Sequence, residues 1–372
     1  MDGTVKIVMH CPYFPPEIGG LESHVFHLCK GLVEAGSEVS MVSSLSQEGL
    51  PEKEIVQGIT VYRTWLPGRN SLGWATHALG SIQTLAQVAR GADIVHSQSF
   101  QSVIPGYIAK QINEVPMVTS WHTSHFLKMA TQPLWRAMFR QFLQCADHNF
   151  AASIEIAEVA QSLAPQLTVE PVSNGVDTEM FHPKSSETKK EGPVTLIVPR
   201  RLYEKNGVEF FIRAMPLITQ AVNARAIIVG DGPERIKLER LCLMLGMESH
   251  IDFLGSKSHE EMPRLFNSAD LAVFPSLMEA TSVAALEAMA CGVPVAASRV
   301  GGLPELIGDE VGGLFRPRDS RSLAETVLEV LNRNDFQALG DNARIRVLEN
   351  WSNLYLVERH LNVYESLIKN NS

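Results

Sequence analysis

Seven residues separate Glu279 from Glu287 in the stretch MEATSVAALEAMACGVPV. A carboxylate is a strong acceptor for hydroxyl groups, so beside a helix N-terminus that binds an anion it would take the hydroxyls of a ligand. Ser282 is a good N-cap, Ala284 to Ala290 are strong helix formers, and Gly292 suits a left-handed helix end. Glu287 is therefore predicted inside a short helix and Glu279 in the turn before it. A second group of charges, Arg200, Arg201 and Lys205, lies in PRRLYEKNG directly after VTLIVP. Arg grips phosphate bidentately and Lys supplies a compact charge, so Arg201 with Lys205 can neutralise a diphosphate without a metal. Phosphate binders beside hydroxyl binders describe a ligand that is part phosphate and part sugar. Each feature alone also has a plainer reading. The cations would solubilise a loop, Glu279 would favour the positive end of a helix, and Glu287 would be a solvated surface residue.

These groups need elements to hold them. LAVFPS has the β-branched and aromatic content of a buried strand, and the turn carrying Glu279 follows it. Strand, turn and helix N-terminus is where open α/β sheets bind anions, because free N–H groups and the helix dipole point out at the strands' carboxyl ends. VTLIVP precedes the arginines and RAIIVG precedes GDGPE, so three strand ends converge on one edge. In the first half, KIVMHC reads as a strand, followed by the loop PYFPPEIGG. A helix then carries Val25, Leu28, Cys29, Leu32 and Val33 on one face and ends at Gly36. EVSMVSS, IVHSQS, PMVTSWH, HNFAAS and LTVEPVSNGV repeat the pattern, which implies a mainly parallel sheet covered on both faces. HPKSSETKKEGP, near residues 182–193, is polar and bounded by prolines, and reads as a linker. Beyond it VTLIVP, RAIIVG, HIDFLG, LAVFPS and PVAAS form a second series. The expected fold is α/β: two Rossmann-like domains facing across a cleft. The first comprises residues 1–183 and the second residues 184–351, and a terminal helix follows at 352–372. Leu354, Val357, Leu361 and Tyr364 are expected on the packed face of that last helix.

Composition narrows the function. The chain has 372 residues, 45% hydrophobic, enough for two cores, and a formal charge of −9 argues against a general nucleic-acid partner. Cys11, Cys29, Cys145, Cys242 and Cys291 are widely spaced and lack any CxxC, which points to a reduced, cytoplasmic protein and no zinc site. MDGTVKIVMHC lacks signal-peptide architecture, and no apolar run approaches a membrane span. SHFLKMATQPLWRAMFRQFL combines Phe126, Leu127, Trp135, Phe139 and Phe142 with Lys128, Arg136 and Arg140. It reads either as a basic amphipathic surface lying on the membrane's cytoplasmic face beside a lipid acceptor, or as a helix packed on the sheet with arginines at its rim.

Taken in order, PPEIGGLESHV, SWHTS, SNGVDTEMFHP, RRLYEKNG, VGDGPE, the Glu279 to Glu287 pair, ACGVPV and VGGLPELI resemble the family-4-type retaining glycosyltransferases of GT-B architecture, over nearly the whole chain. The resemblance implies transfer of a hexose from a nucleotide diphosphate sugar to a hydroxyl acceptor on a glycan, a lipid-linked carrier or a small molecule. It implies no metal and no cofactor beyond that donor, and a C-terminal helix at 352–372 that crosses back to pack on the first domain. Glu287 would bind the ribose hydroxyls and Glu279 would lie at the hexose. Arg201 and Lys205 would hold the diphosphate with the N–H groups of Ser282 and Val283, and Gly19 and Gly20 would approach the donor closely. His122 would lie near the transferred sugar, against the alternative of a structural histidine at a strand end. Asn174 and Asp177 would shape the turn between the domains. The chain departs from the usual pattern at three places: EATS stands for EGFG, Arg200 for the glycine before the arginine, and Asn206 for the glycine after the lysine, with Gly207 one place on. Two other readings keep the same scaffold, a sugar-nucleotide epimerase or hydrolase and a non-catalytic subunit that binds nucleotide sugar.

Overall fold

KIVMH forms the first strand because a run of apolar, largely β-branched residues loses little by being covered on both faces. Ile7, Val8 and Met9 are all buried. The computed structural model describes residues 4–17, 20–122, 124–172, 175–184, 192–279 and 282–371. The chain divides into two units, Met1–Gly175 with Asn353–Ser372 and Val176–Ser352.

The first unit holds β1 (Lys6–His10), β2 (Glu38–Leu45), β3 (Lys53–Val56), β4 (Ile59–Trp65), β5 (Ile94–Gln98), β6 (Met117–Trp121), β7 (His148–Ala151) and β8 (Val169–Pro171). Their order in the sheet is β3-β4-β2-β1-β5-β6-β7-β8. Every neighbouring pair is parallel except β3 with β4. That antiparallel pair was absent from the sequence reading. It is a hairpin turned by Gln57 (φ 50°) and Gly58 (φ 83°), the two left-handed residues that a tight hairpin demands. The sheet's order reverses between β1 and β5, the kind of switch point at which open α/β sheets bind ligands.

The terminal helix Asn353–Asn371 belongs to this unit, as expected. Its Leu356, Val357, Val363 and Tyr364 join Ile7, Met9, Val25, Leu28 and Phe150 in one core. The packed face differs from the expected one, since Leu354 is 74% exposed while Leu356 and His360 are buried. Helix Gly20–Glu34 crosses it closely because Gly31 has no side chain; a Cβ there would strike Val357. Helix Pro133–Cys145 turns Phe139 and Leu143 inward, where they pack with Trp121 and Phe126. Arg136 and Arg140 donate to the carbonyls of Ala130 (3.2 Å) and Leu163 (2.9 Å). The aromatic residues that suggested a membrane-facing surface thus form an internal core, with the arginines tied to its edge. Among the described residues no helix is long and apolar enough to cross a membrane.

The second unit is an all-parallel sheet of β9 (Val194–Pro199), β10 (Ala224–Val229), β11 (Ile251–Gly255), β12 (Leu271–Phe274), β13 (Val295–Ser298) and β14 (Gly312–Phe315). The order is β11-β10-β9-β12-β13-β14. β14 was missed in the sequence because GGLF has two glycines where a strand usually shows branched residues. Gly312 is needed there, since a Cβ would strike the carbonyl of Val295 on β13. The order reverses between β9 and β12, which pair only through Leu271 with Leu196 and Ala272 with Ile197. Past that register no further pairing joins them, and the loops leaving Pro199 and Phe274 flank the switch point. Most of the expected linker, residues 185–191, lies outside the described residues. Asp177 accepts from the N–H groups of Glu179 (3.0 Å) and Met180 (2.9 Å) and so shapes its turn, while Asn174 is outside the described residues.

Candidate active site

The loop Arg200–Gly207 leaves β9 and is held against its neighbours by backbone bonds. Leu202 N–H donates to Asp231 O (2.9 Å), Glu234 N–H to Leu202 O (3.0 Å), and Leu277 N–H to Lys205 O (2.8 Å). The ends of β9, β10 and β12 are thereby knitted into one edge, as the three convergent motifs predicted. Two residues explain the shifted glycine. Asn206 is buried and donates from Nδ2 to Arg201 O at 2.6 Å, bracing the loop. Gly207 has φ +63° and passes so close to the carbonyl of Pro275 that a Cβ would strike it.

Braced in this way, the loop presents Arg201 and Lys205 to solvent. Arg201 lies over the ring of Tyr203 at 5.8 Å, and neither cation has an ion-pair partner among the described residues. Two positive side chains four positions apart, without an ion-pair partner among the described residues, have the charge and spacing to attract an anion. The helix Val283–Ala290 begins on the neighbouring strand's connection. Ser282 caps it, accepting from Ala285 N–H at 3.3 Å, and the first i to i+4 bond runs from Leu286 N–H to Ser282 O. The N–H groups of Ser282 and Val283 precede that bond, at the end of a helix where free N–H groups can bind an anion. Ala280 lies outside the described residues, as does Gly19; Gly20 opens helix Gly20–Glu34 of the first unit.

The two glutamates have very different partners. Glu287 is only 7% exposed, so it is not the solvated surface residue of the plainer reading. Its Oε1 lies 2.8 Å from Nε2 of His259, a half-exposed imidazole on the segment after β11. Hydrogen bonding to Glu287 raises the pKa of His259, outweighing the effect of burial. Glu279 forms an ion pair with Nη2 of Arg200, and the Ser276 hydroxyl lies 3.4 Å from the same carboxylate oxygen. The Arg200 side chain is 10% exposed, with its guanidinium 4.9 Å from the ring centre of Phe274. Burial lowers its pKa, with the attraction of Glu279 opposing. Both Arg200 and His259 escaped the sequence-level assignment of site residues. Arg200 had a signal, as a charged residue in a glycine position; His259 had none.

In the first unit His122 follows β6 and is buried. Its Nε2 lies 2.9 Å from Oε1 of Gln98, and its ring centre 5.0 Å from that of His24. A carbonyl oxygen can only accept, so His122 carries its proton on Nε2 and leaves Nδ1 as an acceptor. Burial pushes its pKa down to about 3, helped by His360, and it is neutral at any ordinary pH. Behind it His96 bonds the Tyr364 hydroxyl (2.6 Å) and that of Ser120 (2.8 Å). Among the described residues no three His, Cys, Asp or Glu side chains form a group that could hold a metal ion.

Comparison with known proteins agrees with this geometry. Residues 180–346 match the glycosyl transferases group 1 family, and residues 18–180 match Glycosyltransferase Family 4. An uncharacterised glycosyltransferase of Methanocaldococcus jannaschii is 31% identical over 97% of this chain and 98% of its own. A sucrose-phosphate synthase from Thermosynechococcus elongatus has the same fold, with a TM-score of 0.81 and 21% identity over 98% of this chain and 100% of that one. HepE of Anabaena, solved in complex with UDP and glucose, superposes with a TM-score of 0.74 and 20% identity over 97% and 100% of the two chains. The chain is a member of the group 1, family-4-type glycosyltransferases, and its two parallel-sheet units have the GT-B fold.

Proposed function

We propose that this glycosyltransferase moves a hexose from a nucleotide diphosphate sugar to a hydroxyl acceptor with retention of anomeric configuration. The observation that carries this reading is the clamp: Arg201 and Lys205, without an ion-pair partner among the described residues, on a loop seated against the turn that leads to the helix N-terminus at Ser282 and Val283. Breaking the sugar–phosphate bond puts negative charge on the departing diphosphate. Cations fixed in place before the reaction lower that barrier by about 3 kcal/mol each. They supply the charge that a divalent ion would otherwise bring, so the reaction runs without metal. Glu287, buried in the helix that follows, takes the ribose hydroxyls, and Glu279 faces the hexose. His122, neutral with Nδ1 as acceptor, receives a hydroxyl of the transferred sugar, and Gly19 and Gly20 let the backbone approach the donor. No side chain is needed as nucleophile: the acceptor attacks on the leaving-group side and a diphosphate oxygen takes its proton. The UDP found with HepE supports a nucleotide sugar as donor. All five cysteines are free, in keeping with a reducing cytoplasm.

A screen of UDP- and GDP-sugars for thermal stabilisation identifies the donor, because a ligand bound to the native state raises its stability. Incubation with that donor and a panel of hydroxyl acceptors then yields an α-linked product from an α-linked donor. An inverted product overturns retention. Turnover of the donor alone at the full rate would mean an epimerase or hydrolase, and binding without any turnover a non-catalytic subunit.

A further inference from the structure

Arg200 and Glu279 form an ion pair across the ends of β9 and β12. The guanidinium bridges the switch point. It leaves the end of β9, lies over Phe274 at the end of β12, and donates from Nη2 to Oε2 of Glu279 in the turn beyond. Ser276 adds its hydroxyl to the same oxygen at 3.4 Å. The pair is a poor way to hold a fold together. Its charges are largely removed from water, and Arg200 Nε is buried with no hydrogen-bond partner among the described residues. Replacing such a pair by apolar residues is often neutral or stabilising, so the arrangement calls for a use other than stability.

Its electrostatic consequence is specific. A bare carboxylate next to the Arg201 and Lys205 clamp would repel the diphosphate that the clamp attracts. Arg200 cancels that charge and, as an arginine, cannot lose its proton. It also takes up Oε2, which leaves Oε1 as the acceptor for an incoming hydroxyl. We propose that Arg200 is the positioning residue that makes Glu279 a reader of the donor's sugar: it holds the carboxylate in one orientation, so that Oε1 accepts from one hexose hydroxyl. The inference rests on the nucleotide-sugar reading above and deepens it, placing sugar selection in a residue pair separate from the diphosphate clamp.

The test measures affinities for three pairs of probes, UDP with UDP-glucose, UDP with UDP-N-acetylglucosamine, and GDP with GDP-mannose. The proteins are the full chain, Arg200→Gly, Arg200→Lys, Glu279→Gln and the double variant Arg200→Gly/Glu279→Gln, each checked for its unfolding midpoint. For the pair that binds the full chain, Arg200→Gly is expected to leave nucleoside diphosphate affinity within about twofold and to weaken the sugar nucleotide by about tenfold, the worth of one charge-assisted hydrogen bond. Glu279→Gln is expected to do the same. The double variant should be no worse than either single change, and Arg200→Lys should recover part of the loss. Equal losses for nucleoside diphosphate and sugar nucleotide would make Arg200 a third phosphate cation and overturn the proposal. Unchanged affinities with a lowered midpoint would make the pair structural and overturn it equally. If no probe binds the full chain, the nucleotide-sugar reading fails, and the inference with it.

Discussion

His259 Nε2 lies 2.8 Å from the Glu287 carboxylate, so the residue proposed to take the donor's ribose already has a partner on the segment after β11. The bond raises the pKa of His259 above its ordinary 6.5. A raised histidine contributes its stability below the unfolded pKa and loses it as pH rises through the folded value. The imidazole is half exposed, which keeps that contribution small. Its effect on the donor has the opposite sign. Protonated His259 competes for Glu287, so donor KM should fall as pH rises through the His259 pKa. Donor KM measured between about pH 5.5 and 8.5 should show this fall, and His259→Ala should flatten it. Parallel profiles for the two proteins would detach His259 from the site.

The clamp is tested directly. Arg201→Ala and Lys205→Ala should each lower turnover by about a hundredfold, the equivalent of about 3 kcal/mol. Both side chains are exposed and have no ion-pair partner among the described residues, so the unfolding midpoint should barely move. Near-normal transfer by Lys205→Ala would remove it from the mechanism.

Activity should persist in excess EDTA, because Arg201 and Lys205 carry the charge that an ion would otherwise supply. Loss of activity that Mg²⁺ restores would show that these two cations are insufficient.

The buried histidines of the first unit give a second pH effect. His10 and His122 each have a pKa pushed down to about 3, chiefly by burial. Between about 3 and 6.5 the unfolded chain therefore binds protons that the native chain refuses. Stability should fall as pH drops through that window, and the urea midpoint between pH 7 and 4 should follow it. An acid limb in kcat near neutrality cannot come from His122, which is neutral there. Gln98→Leu, which removes the acceptor on His122 Nε2, should lower kcat more than it alters the unfolding midpoint.

The terminal helix should be inseparable from the first unit. Tyr364→Phe removes the hydroxyl bonded to His96 and should cost about 1–2 kcal/mol. Leu356→Ala, at a fully buried position, should cost about 2–5 kcal/mol. Deleting residues 353–372 should prevent the first unit from folding, as read by calorimetry; an unchanged first transition would contradict the packing described.

Strand and helix periodicity, being local, was readable along most of the chain. VTLIVP, RAIIVG and LAVFPS could only be buried parallel strands, and Ser282 with Gly292 bounded the helix holding Glu287. The approximate face of the last helix was also visible in its spacing, although Leu354 was placed on the wrong side, since a helix's exact rotation depends on what it packs against. The hairpin at Gln57 and Gly58 and the glycine-rich β14 escaped because their residues answer to turn geometry and to a neighbouring strand's carbonyl. What only the tertiary structure decided is how the charges pair. Arg200 is separated from Glu279 by 78 residues, and His259 from Glu287 by 27. No periodicity links such positions; they meet because the sheet order β11-β10-β9-β12 brings the ends of distant strands to one edge. Sequence could name carboxylates and cations suited to a phosphorylated sugar. Only packing could determine that Arg201 and Lys205 have no ion-pair partner among the described residues while Arg200 is spent on Glu279, because pairing depends on distance through space and on the cost of removing each charge from water.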